Sequence, residues 1–284
     1  MPSYPEPLPM ILRQQRLALI TNGKCGGTSV KRWLFDLLDL PTSPLRLPAL
    51  VARTSPAFAR AFFLRGGRRM HAGLDASLNV RRLSRLYNQT VSRGLMEQAR
   101  DPSFLKLWVV RNPVDRCISG YLDKFCGRTL AKEWMREVVA QGGSGGTLSF
   151  AQFVAYLEAA DNDRVNGHWR RQTYNAGWFA PDQLIPIRIE HLAEDMGRVQ
   201  HPAVQAKLPL LGALNVNRRA RGATPAPDVD APWDMPNTAL NAYLEAHGRL
   251  PPARAFLSDD LTARIRRIYA ADFAAMPYSP SGAA

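Results

Sequence analysis

Two short segments about ninety residues apart hold the side chains of this chain best suited to grip an anion. The first is Thr21-Asn22-Gly23-Lys24-Cys25-Gly26-Gly27-Thr28-Ser29, after the apolar run Leu17-Ala18-Leu19-Ile20. The second is Val109-Val110-Arg111-Asn112-Pro113-Val114-Asp115-Arg116-Cys117-Ile118-Ser119-Gly120-Tyr121. Each reads as strand, turn, helix, with cationic or hydroxyl groups at the turn. An α/β sheet binds ligands outside the carboxyl ends of its strands, and a nucleotide with phosphates at both ends would need two such pockets.

Arg16 to Thr21 is short and mostly apolar, as a buried strand is. From Thr28 the period becomes helical, with Val30, Trp33, Leu34, Leu37 and Leu38 on one face. Gly23, Gly26 and Gly27 between them permit a tight turn and close approach of a ligand to main-chain N–H groups. The helix start favours an anion through its unpaired N–H groups and its dipole. Lys24 adds a point charge, and Thr28 and Ser29 add hydroxyl donors. The Walker A pattern does not fit, because Lys24 precedes the Gly-Gly pair instead of following a glycine directly before Ser or Thr. In the second segment Leu105–Val110 is the buried strand, and Pro113 suits the first helical turn. Arg111 then stands at the strand end, able to form a bidentate contact with a phosphate. Ser119 follows eight residues later. Taken singly, Arg111 is as well explained by a salt bridge to Asp115, and Ser119 by an ordinary helix face.

Taken together, the segments resemble the sulfotransferases that use 3′-phosphoadenosine-5′-phosphosulfate (PAPS). The Lys24-to-Ser29 turn is similar to that family's 5′-phosphosulfate loop, and the run from Arg111 to Tyr121 to its 3′-phosphate motif. The wording through Leu122-Asp123-Lys124-Phe125 is nearest the carbohydrate branch (Golgi-type, family 2), with Asn112 where Asp is usual. His168-Trp169-Arg170-Arg171-Gln172 resembles the branch's His-Trp-x-Pro-Gln segment, with Arg171 in the proline's place. Ile187 to Asp195, Asn215 to Arg218 and Tyr269-Ala270-Ala271-Asp272-Phe273 match further stretches. The resemblance implies a single domain over 1–284 with a three-layer, P-loop-NTPase-like α/β fold, a central parallel sheet flanked by helices. It implies PAPS as co-substrate and transfer of its sulfuryl group to a hydroxyl or amine, on a carbohydrate or hydroxylated metabolite.

The roles follow from that resemblance. Lys24, Cys25, Gly26, Gly27, Thr28 and Ser29 would hold the 5′ end, with Lys24 neutralising charge on the leaving phosphate. Arg111 and Ser119 would hold the 3′-phosphate, and Arg218, Arg219 or Arg221 would add a second cation. These donors can replace a metal. A hydroxyl acceptor needs a general base. His71 is favoured, since it lies between the two segments in a basic stretch; His168 is the second choice, and Glu190, Asp75 and Glu97 follow.

Composition bounds these readings. The chain has 284 residues, 46% of them hydrophobic, enough for a full core. No apolar run reaches the ~20 residues of a membrane span, and Met1–Met10 lacks a signal pattern. A cytoplasmic, soluble, bacterial-type enzyme is the expectation. Cys25, Cys117 and Cys126 show no metal spacing and read as reduced thiols. The net charge of +13 favours anionic partners. Residues 41–103 hold eleven arginines against Asp75, Glu97 and Asp101, either a solvated surface or an acceptor cleft. A basic nucleic-acid-binding protein would explain the charge but not the paired turns. A nucleotide kinase of related fold is disfavoured by the position of Lys24. Flexible ends are expected at 1–14 and 279–284, and a Gly/Ser linker at 141–147. A long loop is expected at 202–236, and helices at 150–160, capped by Ser149, and at 257–276, capped by Ser258. Pro186 argues that the strand at 184–189 lies on an edge or carries a bulge.

Overall fold

The computed structural model describes residues 8–40, 47–64, 77–127, 130, 132–212 and 228–279. Four strands form one sheet in the order β1 (Met10–Leu12), β2 (Leu17–Thr21), β3 (Leu105–Val110) and β4 (Leu184–Arg188). β2 and β3 run parallel from Leu17 opposite Leu105 to Thr21 opposite Val109. β3 and β4 run parallel from Lys106 opposite Leu184 to Val110 opposite Arg188. The α/β fold read from the sequence is therefore present, and Pro186 stands in an edge strand as expected.

β1 corrects one expectation. Residues 10–12 fall in the stretch read as flexible, yet they pair antiparallel with β2 and are fully buried. Three residues are too few to show a period. Tertiary partners close the strand's outer edge: Ser92 accepts from the Ile11 N–H (3.2 Å), and Tyr87 donates its hydroxyl to the Ile11 carbonyl (2.8 Å). Burial raises the Tyr87 phenol well above its ordinary pKa, which keeps that donor protonated.

The chain divides into two compact units, which are interleaved: 5–110 with 175–216, and 111–174 with 217–284. The first holds the sheet. There α1 (Gly27–Leu37) buries Val30, Trp33, Leu34 and Leu37, the face its period marked. The unpatterned basic stretch 41–103 is largely helical where it is described, at Leu47–Arg53, Pro56–Leu64 and α2 (Ser77–Thr90). It supplies Leu50, Phe58, Phe62, Leu83 and Tyr87 to the same core as α1 and the sheet. The expected loop at 202–236 begins instead with short helices at Pro202–Lys207 and Pro209–Gly212, and residues 213–227 lie outside the described ones.

The second unit is helical: α3 (Pro113–Phe125), α4 (Glu133–Gly142), α5 (Phe150–Ala159), the first residues of α6 (Gln172–Ala176), a helix at Asn237–His247, α7 (Asp259–Ile268) and α8 (Ala270–Ala275). Tyr121, Phe125, Phe150, Phe153 and Trp169 pack together with ring centroids 5.2 to 6.4 Å apart. The helix expected over 257–276 is two helices, broken at Tyr269, whose hydroxyl is pulled to the Trp169 carbonyl at 2.6 Å. The expected Gly/Ser linker is a closed turn. Ser144 and Thr147 exchange backbone hydrogen bonds of 3.0 and 3.1 Å around Gly145 and Gly146, both at positive φ.

Ser149 makes a complete capping box on α5. Its hydroxyl accepts from the Gln152 N–H, while the Gln152 side chain accepts from the Ser149 N–H. Ser149→Ala should lower stability by about 1 kcal/mol, read as a shift in the urea unfolding midpoint at unchanged slope; an unchanged midpoint would show the cap to be dispensable.

Candidate functional site

β2 ends at Thr21, and Asn22 takes over its hydrogen bonding. The buried Asn22 side chain donates to the Val109 carbonyl at 3.4 Å and accepts from the Asn175 amide at 2.5 Å. The chain then turns back on itself, Cys25 N–H donating to the Asn22 carbonyl at 3.3 Å. Lys24 sits at φ 67° and Gly26 at φ 62°, two left-handed residues in three. Gly26 has no substitute: a Cβ there would fall 2.5 Å from Ile189 Cδ1, besides requiring a strained backbone. Lys24 carries that strain with a full side chain, a cost of about 1 kcal/mol.

Gly26 is also the N-cap of α1, and the helix begins without a side-chain cap or an acid in its first turn. The first turn, Gly27, Thr28 and Ser29, is half-buried, with hydroxyls beside the helix N–H groups. An eleven-residue helix with its positive end so prepared favours an anion. The electrostatics beyond are of the same sign. Lys31, one turn further on, is held below its ordinary pKa by burial first and by the charge of Arg81 second. The Cys25 thiol is fully buried, with Sγ 3.7 Å from the Gly23 carbonyl, a packing position and not an exposed nucleophile.

Arg111 follows the last residue of β3 and belongs to the other unit. Asn112 caps α3, accepting from the Val114 N–H at 3.0 Å, and Pro113 occupies the first turn as expected. Ser119 is half-buried on α3. Arg116, the second arginine of this motif, is only 1% exposed and donates to the Arg170 and Gly167 carbonyls at 2.8 and 3.0 Å. Its charge organises the loop before α6 and is not offered to a ligand.

That loop carries His168. Asn166 Oδ1 accepts both the His168 backbone N–H (3.1 Å) and ring Nδ1 (2.5 Å). A backbone N–H can only donate, so the shared atom is an oxygen and Nδ1 must carry a proton. The imidazole is thereby held with Nε2 as its proton-accepting nitrogen, and it stacks on Trp134 at 6.3 Å and 16°. Gln172, Asp272, Asn166 and Trp134 carry this architecture, yet the sequence reading gave them no role. Gln172 and Asp272 did lie in family-like segments, which was the signal available.

His71, Arg218, Arg219 and Arg221 lie outside the described residues. Glu190 is exposed on a short turn after β4, and Arg188 is held by Asp195, whose carboxylate accepts from its backbone N–H and its guanidinium at 2.6 to 2.9 Å. A cavity of about 500 Å3 in the helical unit is lined by Glu137, Tyr156, Asp161 and Arg164 and contains none of the expected site residues. Among the described residues no His, Cys, Asp or Glu cluster has a metal-holding arrangement, and no helix is long and apolar enough to cross a membrane.

A sequence model described as the sulfotransferase family matches residues 10–279. No curated protein and no solved structure matches the chain.

The strain at Lys24 separates conformation from charge. Lys24→Gly and Lys24→Ala both remove the ammonium, but the glycine variant should be more stable by about 1 kcal/mol. Equal unfolding midpoints would show that the turn relaxes around Lys24.

Proposed function

This chain belongs to the sulfotransferase family, and on that premise we propose that it moves a sulfuryl group from PAPS to a hydroxyl or amine of a carbohydrate or small hydroxylated acceptor. Sulfuryl transfer is the chemistry of the family. The observation that carries the donor assignment is the left-handed turn at Lys24 to Gly26 feeding an α1 start with neither side-chain cap nor acid.

In this reading the N–H groups of α1, with the Thr28 and Ser29 hydroxyls, hold the 5′-phosphosulfate. Lys24 neutralises the charge that builds on the departing phosphate oxygen. Such preorganised donors are worth most where the charge develops. Arg111 and Ser119 take the 3′-phosphate. During transfer the acceptor O–H gives its proton to a base, an acceptor O–S bond forms, and the S–O bond to the phosphate breaks with its electron pair. The product is 3′-phosphoadenosine-5′-phosphate (PAP). His168 suits the base, because Asn166 fixes its Nε2 as the accepting nitrogen. His71 remains the alternative base, and a cytoplasmic setting the proposed one.

Calorimetry with PAP, AMP and ADP tests the donor site. PAP should bind at least tenfold tighter than AMP, and Arg111→Ala should remove most of that advantage while leaving AMP unchanged, as expected for a hydrogen-bonded charge pair of about 1.5–3 kcal/mol. Equal binding of PAP and AMP by the unaltered protein would sink the assignment. His168→Ala should lower turnover by about 10²- to 10⁴-fold with PAP affinity intact. If His71→Ala does this instead, the base is His71.

A further inference from the structure

Arg111 stands one residue beyond β3, whose last paired residue, Val110, lies opposite Arg188. Its main-chain N–H and C=O therefore need partners outside the ladder, or they are lost bonds. Gln172 supplies both. The Arg111 N–H donates to Gln172 Oε1 at 2.9 Å, and Gln172 Nε2 donates to the Arg111 carbonyl at 2.8 Å. Of the side chains only a carboxamide presents donor and acceptor side by side as a peptide does. Gln172 is 0% exposed, so it has no solvent to turn toward.

The backbone that carries Gln172 is fixed in turn by Asp272. One carboxylate oxygen accepts from the Gln172 N–H at 2.9 Å, and the other from the Thr173 N–H and hydroxyl, each at 2.9 Å. Asp272 is also 0% exposed, and its two oxygens accept all three of these hydrogen bonds. Arg116 and Tyr269 hold three carbonyls of the preceding loop, those of Gly167, Trp169 and Arg170. The chain of contacts thus runs from α8 through the start of α6 to the main chain of Arg111, and each link is hydrogen-bonded.

We propose that Asp272 and Gln172 are positioning residues for the 3′-phosphate: they fix the Arg111 backbone, and so the point from which its guanidinium reaches the nucleotide. This rests on the assignment of Arg111 to the 3′-phosphate. It gives a distinct function to two segments that the sequence marked only through a resemblance. It also accounts for a fully buried carboxylate and a fully buried carboxamide that no core requires. Both side chains are 0% exposed and so act through Arg111, and their removal is expected to act on one phosphate and not on the nucleotide as a whole.

The test uses the full chain with Gln172→Leu, which keeps approximate volume and removes both bonds. Two readouts are taken: PAP and AMP affinity by calorimetry, and exchange of the Arg111 amide by NMR. PAP should weaken about tenfold or more, as misplacement of a contact by a fraction of an ångström allows, with AMP within twofold. The Arg111 amide should exchange faster while those of Leu107 to Val110 keep their protection. Should Gln172→Leu fail to fold, Asp272→Asn preserves shape, faces one N–H donor with another, and should shift the same PAP:AMP ratio in the same direction. An unchanged ratio in a folded variant, or equal loss of both ligands, overturns the proposal and leaves the residues a structural role. If the unaltered protein itself fails to distinguish PAP from AMP, the donor assignment falls and this inference with it. That result is separate from a variant that keeps the discrimination of its parent.

Discussion

A strand that ends at a turn must satisfy its last backbone groups without continuing the sheet, and in this protein carboxamides meet that demand at two strand ends. After β2 it is Asn22, bonded to the Val109 carbonyl and to Asn175. After β3 it is Gln172, bonded to both main-chain groups of Arg111. A further strand residue at either place would extend the ladder and carry the chain past the turn. A carboxamide stops it and leaves the next residues free to turn, which is where Lys24 and Arg111 stand. The left-handed turn at Lys24–Gly26 and the capped start of α3 at Asn112 both depend on that arrest.

What the sequence disclosed follows the range of each interaction. Local rules worked: the buried face of α1, the limits of β3, Ser149 and Ser258 as caps, Pro113 in the first turn, and the glycine at position 26. Features set by distant partners were not legible. Met10–Leu12 pairs with β2, and its other edge is bonded at Ile11 by Ser92 and Tyr87 from some eighty residues away. The terminal helix breaks because Tyr269 reaches Trp169, 100 residues earlier. The two segments proposed to hold the nucleotide read as candidate anion sites because their residue types serve a local geometry. Gln172 and Asp272 were readable only as parts of a resemblance, since a buried amide has no periodic signature.

Net charge proves a poor guide to where an anion would rest. Many of the cations are engaged inside the protein. Arg116 and Arg170 hold loop carbonyls, Arg188 is held by Asp195, and Arg264 is held by Glu158 at 2.6 Å. Within the arginine-rich stretch, Arg53 donates to the Leu38 and Asp39 carbonyls and Arg100 pairs with Glu97. Arg81, Arg82 and Arg85 of α2 are exposed, and the first of them adds to the burial that lowers Lys31. Among the described residues, these exposed cations of α2 stand on a helix in a stretch without a clear sequence period.

The interleaving of the two units has a bearing on how the chain is made. β3 emerges from the ribosome with β2 already available, but its other neighbour, β4, is not translated until the whole of 111–174 has followed. At the pace of synthesis that gap lasts on the order of several seconds. Through that interval the nascent chain shows an open edge of Leu-Lys-Leu-Trp-Val-Val, five of its six residues destined for burial. An unpaired apolar edge is a template for pairing with another copy. Crowded polysomes, or a host that elongates slowly, would lengthen the exposure. The yield of soluble protein then becomes a kinetic contest between translation of residues 184–188 and encounter with a neighbouring chain.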